Sequence, residues 1–294
     1  MAKEDLVASL KNENGNKKKT INQIDHTQTS MFEFDDTKFK KKVKNSNIDM
    51  KCQDVQEYVK SIEVPIHVVI TSPPYNCNIK YDIHDDNMPW DQYKTWLTDV
   101  FVGIYNKVVS GGRVILNFPI FVKNEDKRLS LAGIFEEILR SSGFEIIDYI
   151  TWIKAKSEEE AIGAAGRSTA WGSWLSPSSP NVRPISELLL IAKKPGKFET
   201  DKERIDITTD EFKKYTISTW FIQSTGSKYH PASYPDELAY RAMRLYSHKN
   251  DNVLDPFMGV GSTGIACIRS ERNFYGCDIS QDYLKVAVAR ITNS

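Results

Sequence analysis

The sequence predicts an α/β fold built on a mainly parallel sheet, and three observations lead to this prediction. Short, β-branched apolar runs recur along the chain, with amphipathic stretches of helical length between them. Polar or glycine-rich segments follow several of these runs, at the strand ends where open α/β sheets bind ligands. The chain has 294 residues, 40% of them hydrophobic, which is enough to bury one substantial core.

The alternation of runs predicts the order of the elements. Helices between successive strands indicate a sheet that is covered on both faces. Strands are expected at about 66–70, 113–117, 147–153, 187–192, 252–255 and 273–277, and helices at about 91–109, 131–141 and 236–247.

The first motif, Thr-Ser-Pro-Pro-Tyr-Asn at residues 71–76, directly follows the apolar run 66–70. Its two prolines have no N–H group to extend a sheet, so they predict a stiff loop at the end of the strand. The hydroxyl of Ser72 and the ring of Tyr75 would be presented there together. A turn that only ends a strand rarely needs all of these groups, so we interpret the motif as functional.

The second motif lies at residues 252–264 and predicts a strand, a glycine loop and the start of a helix. Gly259 and Gly261 would allow a cofactor to approach the main chain closely. Asp278 ends the next predicted strand, where a carboxylate can accept hydrogen bonds from ribose hydroxyls. The glycine pattern alone is also typical of dinucleotide enzymes, but Asp255 before it would repel a pyrophosphate and attract a cation.

The two motifs, in this order, resemble the permuted, β-class amino-methyltransferases that modify DNA in restriction–modification systems. The resemblance covers about residues 46–294 and implies a Rossmann-like methyltransferase fold that depends on S-adenosylmethionine. It also implies a circularly permuted motif order and an inserted target-recognition region. Further segments similar to this family lie at 111–117, 149–154, 183–191 and 230–235.

For the first motif, the resemblance implies methyl transfer to the exocyclic amine of a base flipped out of duplex DNA. Ser72 Oγ and the Pro73 carbonyl would accept hydrogen bonds from the amine, and Tyr75 would stack on the base. The motif Ser-Pro-Pro-Tyr, completed by Pro74, goes mostly with N4 of cytosine, and Asn76 and Tyr81 are also similar to that group. N6 of adenine is the alternative, because family members with Asp or Asn in place of Ser methylate mostly adenine.

For the second motif, the resemblance implies that Asp255 holds the amino group of the cofactor and that Asp278 binds its ribose. The family more often has Glu at the position of Asp278. The residues implied to shape the cofactor pocket are Pro256, Phe257, Gly259, Gly261 and Ser262.

Three further residues have two interpretations each. Asp54 stands where the family often has Gly-Asp, so it either reaches the adenine of the cofactor or caps a helix. Lys228 and His230 either meet the methionine carboxylate or are an ordinary surface lysine and loop histidine.

Other functions explain the sequence less well. Methylation of the cytosine ring carbon needs a nucleophilic thiolate in a Pro-Cys pair, and the chain has no such pair. A nicotinamide-dependent oxidoreductase would leave the first motif unexplained. A DNA-binding module without catalysis would leave two complete motifs without a purpose.

Three regions outside the motifs are predicted from composition. Residues 1–45 are polar and lysine-rich, and form either a solvated tail or an arm that contacts DNA. Residues 195–229 combine basic and aromatic side chains, as expected of a target-recognition insertion, although the aromatic residues could instead pack together. Residues 163–180 are predicted to form a long loop near the active face.

Composition also bears on partners and location. The formal net charge is zero, so contact with double-stranded DNA would depend on local basic surface. No segment has the length of a membrane helix or the apolar core of a signal peptide. The four cysteines lack the spacing of a zinc site. We therefore expect a cytoplasmic enzyme without a metal, and the resemblance leaves open a homodimer and a partner restriction endonuclease.

Overall fold

The computed structural model describes residues 37–79, 82–83, 86–124, 127–166, 182, 184–224 and 233–294. The helices are α1 (Val55–Ser61), α2 (Trp90–Lys107), α3 (Leu131–Ser141), α4 (Glu158–Gly166), α5 (Thr209–Tyr215), α6 (Asp236–Tyr246), α7 (Ser262–Ser270) and α8 (Gln281–Thr292). The strands are β1 (Lys38–Val43), β2 (Ser46–Cys52), β3 (Ile66–Thr71), β4 (Val108–Pro119), β5 (Phe121–Asn124), β6 (Lys127–Ser130), β7 (Glu145–Ile153), β8 (Ser186–Lys193), β9 (Thr219–Phe221), β10 (Asn252–Asp255) and β11 (Asn273–Asp278).

The main sheet of the described residues has nine strands in the order β1-β2-β11-β10-β3-β4-β8-β7-β9. The five strands from β2 to β4 in this order are parallel neighbours. Strand β1 is antiparallel to β2, and β8 is antiparallel to both β4 and β7. The predicted mainly parallel α/β fold is confirmed, and β3 lies beside β10 although the two strands are far apart in sequence.

Helices cover both faces of the sheet because successive apolar side chains on the central strands point in opposite directions. Val68 and Ile70 of β3 belong to a core that includes apolar residues of α6, α7 and α8. Val69, between them, belongs to a second core that includes residues of α1, α2 and α3. The sheet is therefore the middle layer of three, and its strand ends are left for a site.

The six strands and three helices predicted from sequence are all present, with small changes at their ends. The largest change is in β4, which begins at Val108 and includes Gly111, whose φ of 70° lies in the left-handed region. The lysine-rich tail is shorter than predicted, because residues 38–43 form an edge strand. Phe39 and Val43 of that strand pack against the core, and lysines are common on exposed edge strands.

The first part of the candidate target-recognition insertion, residues 195–229, lies far from the motif loops. The ring of Phe198 contacts His67 near the beginning of β3, at a centroid distance of 6.1 Å. Arg204 pairs with Asp251, directly before β10, at 2.7 Å. Both contacts are at the amino ends of the parallel strands, whereas the motifs are at the carboxyl ends. A DNA-reading role of these residues stays a prediction, and it would have to act away from the motif loops.

The second part of the same region belongs to the core. Tyr215 and Trp220 are 6% and 1% exposed, and their ring centroids lie 6.4 Å apart. Trp220 is in β9, which extends the main sheet beside β7. The alternative of a packing cluster is therefore correct for these two aromatic residues.

Two predictions fall partly or wholly outside the described residues. The loop expected at 163–180 overlaps the end of α4, and residues 167–180 lie outside the described part. The segment 1–36 of the lysine-rich tail lies outside it as well. Among the helices that the structure does describe, none is long and apolar enough to cross a membrane.

Candidate active site

A cavity of about 310 Å³ opens at the carboxyl ends of the parallel strands, where both motifs lie. A volume of this size is at the lower end of the range for small-molecule sites. The loops after β3, β10 and β11 all contribute to its wall. The sequence-predicted residues that line it are Asp54, Ser72, Pro74, Pro256, Phe257, Gly259, Ser262 and Asp278.

The hydroxyls of Ser72 and Tyr75 in the first motif lie close to each other and to the main-chain carbonyl of Asn117. Ser72 Oγ lies 2.5 Å from the Tyr75 hydroxyl and 3.0 Å from the main-chain oxygen of Asn117, at the end of β4. The Tyr75 hydroxyl is 3.5 Å from the same carbonyl. A carbonyl can only accept hydrogen bonds. When Ser72 donates to Asn117 and Tyr75 donates to Ser72, a lone pair of Ser72 Oγ remains for another donor.

A single buried carboxylate holds the turn that follows the first motif. Asp86 is 2% exposed and accepts hydrogen bonds from the main-chain N–H groups of Asn76 (2.7 Å), Cys77 (3.0 Å) and Ile79 (3.1 Å). Asn76 has a φ of 54°, in the left-handed region that Asn tolerates better than most residues. The turn is thus fixed by a side chain ten residues away in sequence.

The same carboxylate affects Cys77. Burial, followed by the charge of Asp86, raises the pKa of the Cys77 thiol to about 11. The thiol is therefore protonated at neutral pH. A cysteine that acts as a nucleophile would have to be a thiolate instead.

The glycine loop of the second motif is held by its backbone conformation and by a hydrogen bond to the Asp278 side chain. Gly261 has a φ of 80° and directly precedes α7, so this turn requires the left-handed backbone that glycine adopts without strain. A Cβ atom at this position would lie 3.0 Å from the Cβ of Ala287. The Gly259 N–H donates to Asp278 Oδ2 at 3.0 Å, which joins the loop to the end of β11.

Asp278 is a half-buried carboxylate in the cavity wall. Desolvation by burial raises its pKa from the ordinary value of 3.8 to about 6, although hydrogen bonds from the N–H groups of Ser280 and Gly259 oppose this shift. The Ser280 N–H lies 2.9 Å from Oδ1. Asp278 thus presents its carboxylate to the cavity while two main-chain bonds fix its orientation.

Asp255 occupies a different position from the one expected. Its side chain is 1% exposed and is not part of the cavity wall. Its two oxygens accept hydrogen bonds from Thr71, from the N–H of Phe257 and from one of the hydroxyls of Tyr234 and Thr263, which lie 2.6 Å from each other. A direct contact of Asp255 with the amino group of a cofactor stays a prediction.

Aromatic side chains connect the two motif loops on one side of the cavity. The Tyr93 hydroxyl donates to the Pro74 carbonyl at 2.6 Å. The ring of Trp96, one helical turn further along α2, lies 6.0 Å from Tyr93 and 5.9 Å from Phe257 of the glycine loop, measured between centroids. Helix α2 therefore contacts both Pro74 of the first motif and the glycine loop.

The sequence profile of the DNA methylase family matches residues 66–289, which include both motifs. The chain belongs to this family.

Among relatives, this methylase is 24% identical over 230 residues to the Type II methyltransferase M.BglII of Bacillus subtilis. That match covers 76% of this chain and 62% of M.BglII, so the chain spans less than two thirds of that relative. It is 29% identical over 167 residues to the Type II methyltransferase M.MjaVI of Methanocaldococcus jannaschii, covering 55% of this chain and 79% of the relative.

Solved structures share the fold. A putative DNA modification methylase from Thermus thermophilus matches with a TM-score of 0.65 and 24% identity, over 83% of this chain and 94% of the other. The PvuII DNA methyltransferase, described as cytosine-N4-specific, matches with a TM-score of 0.63 and 18% identity, over 83% and 86% of the two chains. The fold of this chain is thus shared with solved structures described as a putative and a cytosine-N4-specific DNA methylase.

The structure places the remaining site residues predicted from the sequence in different surroundings. Asp54 caps α1, because its Oδ1 accepts hydrogen bonds from the first turn of that helix, and it also lines the cavity. Its contact with the adenine of a cofactor stays a prediction. Lys228 and His230 lie outside the described residues. The predicted residues of the described part that do not line the cavity are Pro73, Tyr75, Asp255 and Gly261.

Sequence reasoning missed other residues of the wall. Ser280 and Tyr283 line the cavity because α8 begins directly beyond Asp278, and the Ser280 side chain caps that helix. The spacing of Ser280 from the end of the strand was a usable signal. Tyr234 lines the cavity and belongs to the family-like segment 230–235. Trp96 and Asp82 line it as well, and nothing in their local sequence indicates this, because tertiary packing brings them there.

Proposed function

We propose that this methylase transfers a methyl group from S-adenosylmethionine to the N4 amine of a cytosine flipped out of duplex DNA. The observation that carries the proposal is the convergence of both motifs on one cavity, with Ser72 and Asp278 in the same wall. By the chemistry of its Type II relatives, the DNA substrate would be the recognition site of a partner restriction endonuclease. Assembly as a homodimer is compatible with this role.

The charge of the cavity supports S-adenosylmethionine rather than a dinucleotide. The described residues that line it include three acids, Asp54, Asp82 and Asp278, and no lysine, arginine or histidine. Such a wall attracts a sulfonium cation and repels a pyrophosphate. The N–H groups at the start of α7 and the carboxylate of Asp278 can orient the polar groups of the cofactor.

The groups of the first motif support transfer to an amine. When bound, S-adenosylmethionine supplies a methyl group on a sulfonium that is already reactive, so positioning accounts for much of the rate. The amine nitrogen of a base is a poor nucleophile because its lone pair is delocalised into the ring. Ser72 Oγ, oriented by Asn117 and Tyr75, can accept a hydrogen bond from the amine and favour the pyramidal form that attacks.

The choice of cytosine over adenine depends on Ser72. A serine hydroxyl is shorter than the side chain of Asp or Asn, so the amine must come closer to the loop. Ser72 is in turn held against Asn117 at the end of β4, which keeps the acceptor close to the sheet. The name of the PvuII enzyme agrees with cytosine-N4 chemistry on the same fold, and N6 of adenine is the competing target.

The test is to incubate the full-length protein with methyl-tritiated S-adenosylmethionine and duplex DNA of varied sequence, and then to digest the DNA to nucleosides. We expect N4-methylcytosine to carry the label. N6-methyladenine would overturn the choice of base, and unlabelled DNA in the presence of cofactor binding would overturn methyl transfer to DNA.

Ser72→Ala is the matched variant for this assay. It removes one acceptor from the amine and no part of the glycine loop, so we expect methyl transfer to fall by about 10²–10³-fold. Calorimetry should show that S-adenosylmethionine still binds. A rate equal to that of the wild-type protein would contradict the role of Ser72.

A further inference from the structure

Asp255 connects the ends of two neighbouring strands. It is the last residue of β10, and Thr71 is the last residue of the adjacent strand β3, directly before Ser72. The Thr71 hydroxyl donates to Asp255 Oδ1 at 2.6 Å. The residue before the catalytic serine is thus hydrogen-bonded to the residue that begins the glycine loop.

Three other groups reach the same carboxylate from different parts of the fold. The Tyr234 hydroxyl, beside the cavity, lies 3.0 Å from Oδ2, and the Thr263 hydroxyl, in the first turn of α7, lies 2.7 Å from it. The main-chain N–H of Phe257 donates to Oδ1 at 3.2 Å. Asp255 is therefore the common acceptor for the target loop, the glycine loop and two helix starts.

These bonds occupy most of the carboxylate. Tyr234 and Thr263 also lie 2.6 Å from each other, and each hydroxyl has one hydrogen, so one donates to the other and the second donates to Oδ2. With Thr71 and the N–H of Phe257, three of about four lone-pair positions are used. Asp255 is 1% exposed and does not line the cavity, while Thr71 and Thr263 beside it are fully buried. An ammonium group in the cavity could therefore reach Asp255 only by displacing part of this buried network, and a displaced donor without a new partner costs about 1–3 kcal/mol.

We propose that Asp255 is a positioning residue, which sets the separation of the target loop from the glycine loop and does not bind the cofactor's amino group itself. The inference rests on the proposed function, because the two loops would hold the two reactants. In-line transfer requires the reacting atoms to approach within about 3–3.5 Å, and a displacement of about 1 Å can lower the rate by about 10²-fold. A carboxylate that bonds both loops controls this distance.

The first experiment separates positioning from direct binding. Calorimetry measures the affinity of S-adenosylhomocysteine, and of its analogue with hydrogen in place of the α-amino group, for the wild-type protein and for Asp255→Asn. Without a direct contact, removal of the amino group weakens binding by the same factor in both proteins, to within about twofold. If the amino group matters in the wild-type protein but not in Asp255→Asn, the contact is direct and the proposal is overturned.

The second experiment approaches the network from the target side and remains decisive if Asp255→Asn does not fold. Thr71→Val keeps the size of the side chain and removes its donor, and Thr71 is not part of the cavity wall. We expect the single-turnover rate of methyl transfer to fall by about 10–100-fold, with the affinity for S-adenosylhomocysteine changed by no more than about twofold. Thr71→Ser restores the hydroxyl and should recover most of the rate.

The outcomes distinguish this inference from the proposed function. An unchanged rate in Thr71→Val overturns positioning through Asp255 while leaving DNA methylation in place. If the wild-type protein labels no DNA, the proposed function fails, and the comparison of the two ligands still decides whether Asp255 contacts the amino group. A loss of rate that Thr71→Ser does not recover would assign the effect to packing and contradict the proposal.

Discussion

The loop after β3 and the loop after β10 end neighbouring strands at the same edge of the sheet, but different kinds of interaction hold them. In the target loop, Pro73 and Pro74 have no N–H group, so few main-chain hydrogen bonds can form locally. Side chains from distant elements replace them: Asp86 binds the turn, and Tyr93 binds the Pro74 carbonyl.

The glycine loop depends in addition on its own backbone. Gly261 adopts a left-handed conformation before α7, and the Gly259 N–H donates to the side chain of Asp278 at the end of the next strand. The comparison shows that the proline loop is positioned by side chains of other elements, whereas the glycine loop combines such a contact with a backbone conformation that glycine adopts without strain. The two loops should therefore be sensitive to different substitutions.

The largest effect is expected from Asp86→Ala in the target loop. The change leaves three main-chain N–H groups without their acceptor, and hydrogen bonds to a charged group contribute about 1.5–3 kcal/mol each. We expect the free energy of unfolding to fall by about 4 kcal/mol and methyl transfer to fall with it, as measured by urea denaturation and a single-turnover assay. Asp99→Ala removes an exposed charge from α2 and should change the stability little. Equal effects of the two variants would show that Asp86 does not hold the turn.

A somewhat smaller effect is expected from Gly261→Ala in the glycine loop. An L-residue in the left-handed region costs about 1–2 kcal/mol, and the added Cβ would be 3.0 Å from Ala287. We expect a loss of about 2 kcal/mol in the free energy of unfolding and weaker binding of S-adenosylmethionine. Gly133→Ala is the control, because that position in α3 has open space around it and should gain stability by about 0.5–1 kcal/mol. A stable Gly261→Ala variant would contradict the dependence on backbone geometry.

The smallest effect is a dependence of stability and cofactor affinity on pH. It arises from Asp278, whose carboxylate accepts a hydrogen bond from the glycine loop. The pKa of Asp278 is about 6 in the folded protein and 3.8 as its ordinary value, so the protonated carboxyl is favoured by folding. Without cofactor, the contribution of Asp278 to stability therefore increases as the pH falls from above 6 to below 4. If the carboxylate accepts the ribose hydroxyls, affinity changes in the opposite direction, and falls by up to about tenfold per pH unit below 6.

Calorimetry of S-adenosylmethionine between about pH 5 and 8 and thermal denaturation of the free protein over the same range check both signs. Asp278→Asn cannot titrate and should remove both dependences. An affinity that stays constant below pH 6 would show that Asp278 is not an acceptor for the cofactor.

The motif loops were predictable to different extents. The turn at Gly259 and Gly261 follows from the residue types themselves, and Asp278 at the end of its strand was found by the same reasoning. The contacts of Ser72 with Asn117 join positions 45 residues apart, and those of Thr71 with Asp255 join positions 184 apart. Such pairs have no local pattern, so the hydrogen-bond network around Asp255 was not predicted.

The region 195–229 shows the same limit on a larger scale. Its mixture of lysines and aromatic residues is compatible with DNA binding and with a core, because an aromatic side chain serves both purposes. Trp220 is buried in β9, and Phe198 contacts His67 at the opposite edge from the cavity. The burial of Trp220 and the pairing of β9 with β7 distinguish the alternatives for this residue.

The sequence by itself determined the alternation of strands and helices, the mainly parallel sheet and the location of both motifs at strand ends. These features depend on patterns that extend over only a few residues: the periodicity of strands and helices, and the positions of proline and glycine. They can therefore be predicted from the local sequence. The tertiary structure alone decided which side chains line the cavity and where the carboxylate of Asp255 points. The reason is physical: burial and hydrogen bonding depend on neighbours in space, and the sheet places β3 beside β10 although the two strands are far apart in sequence.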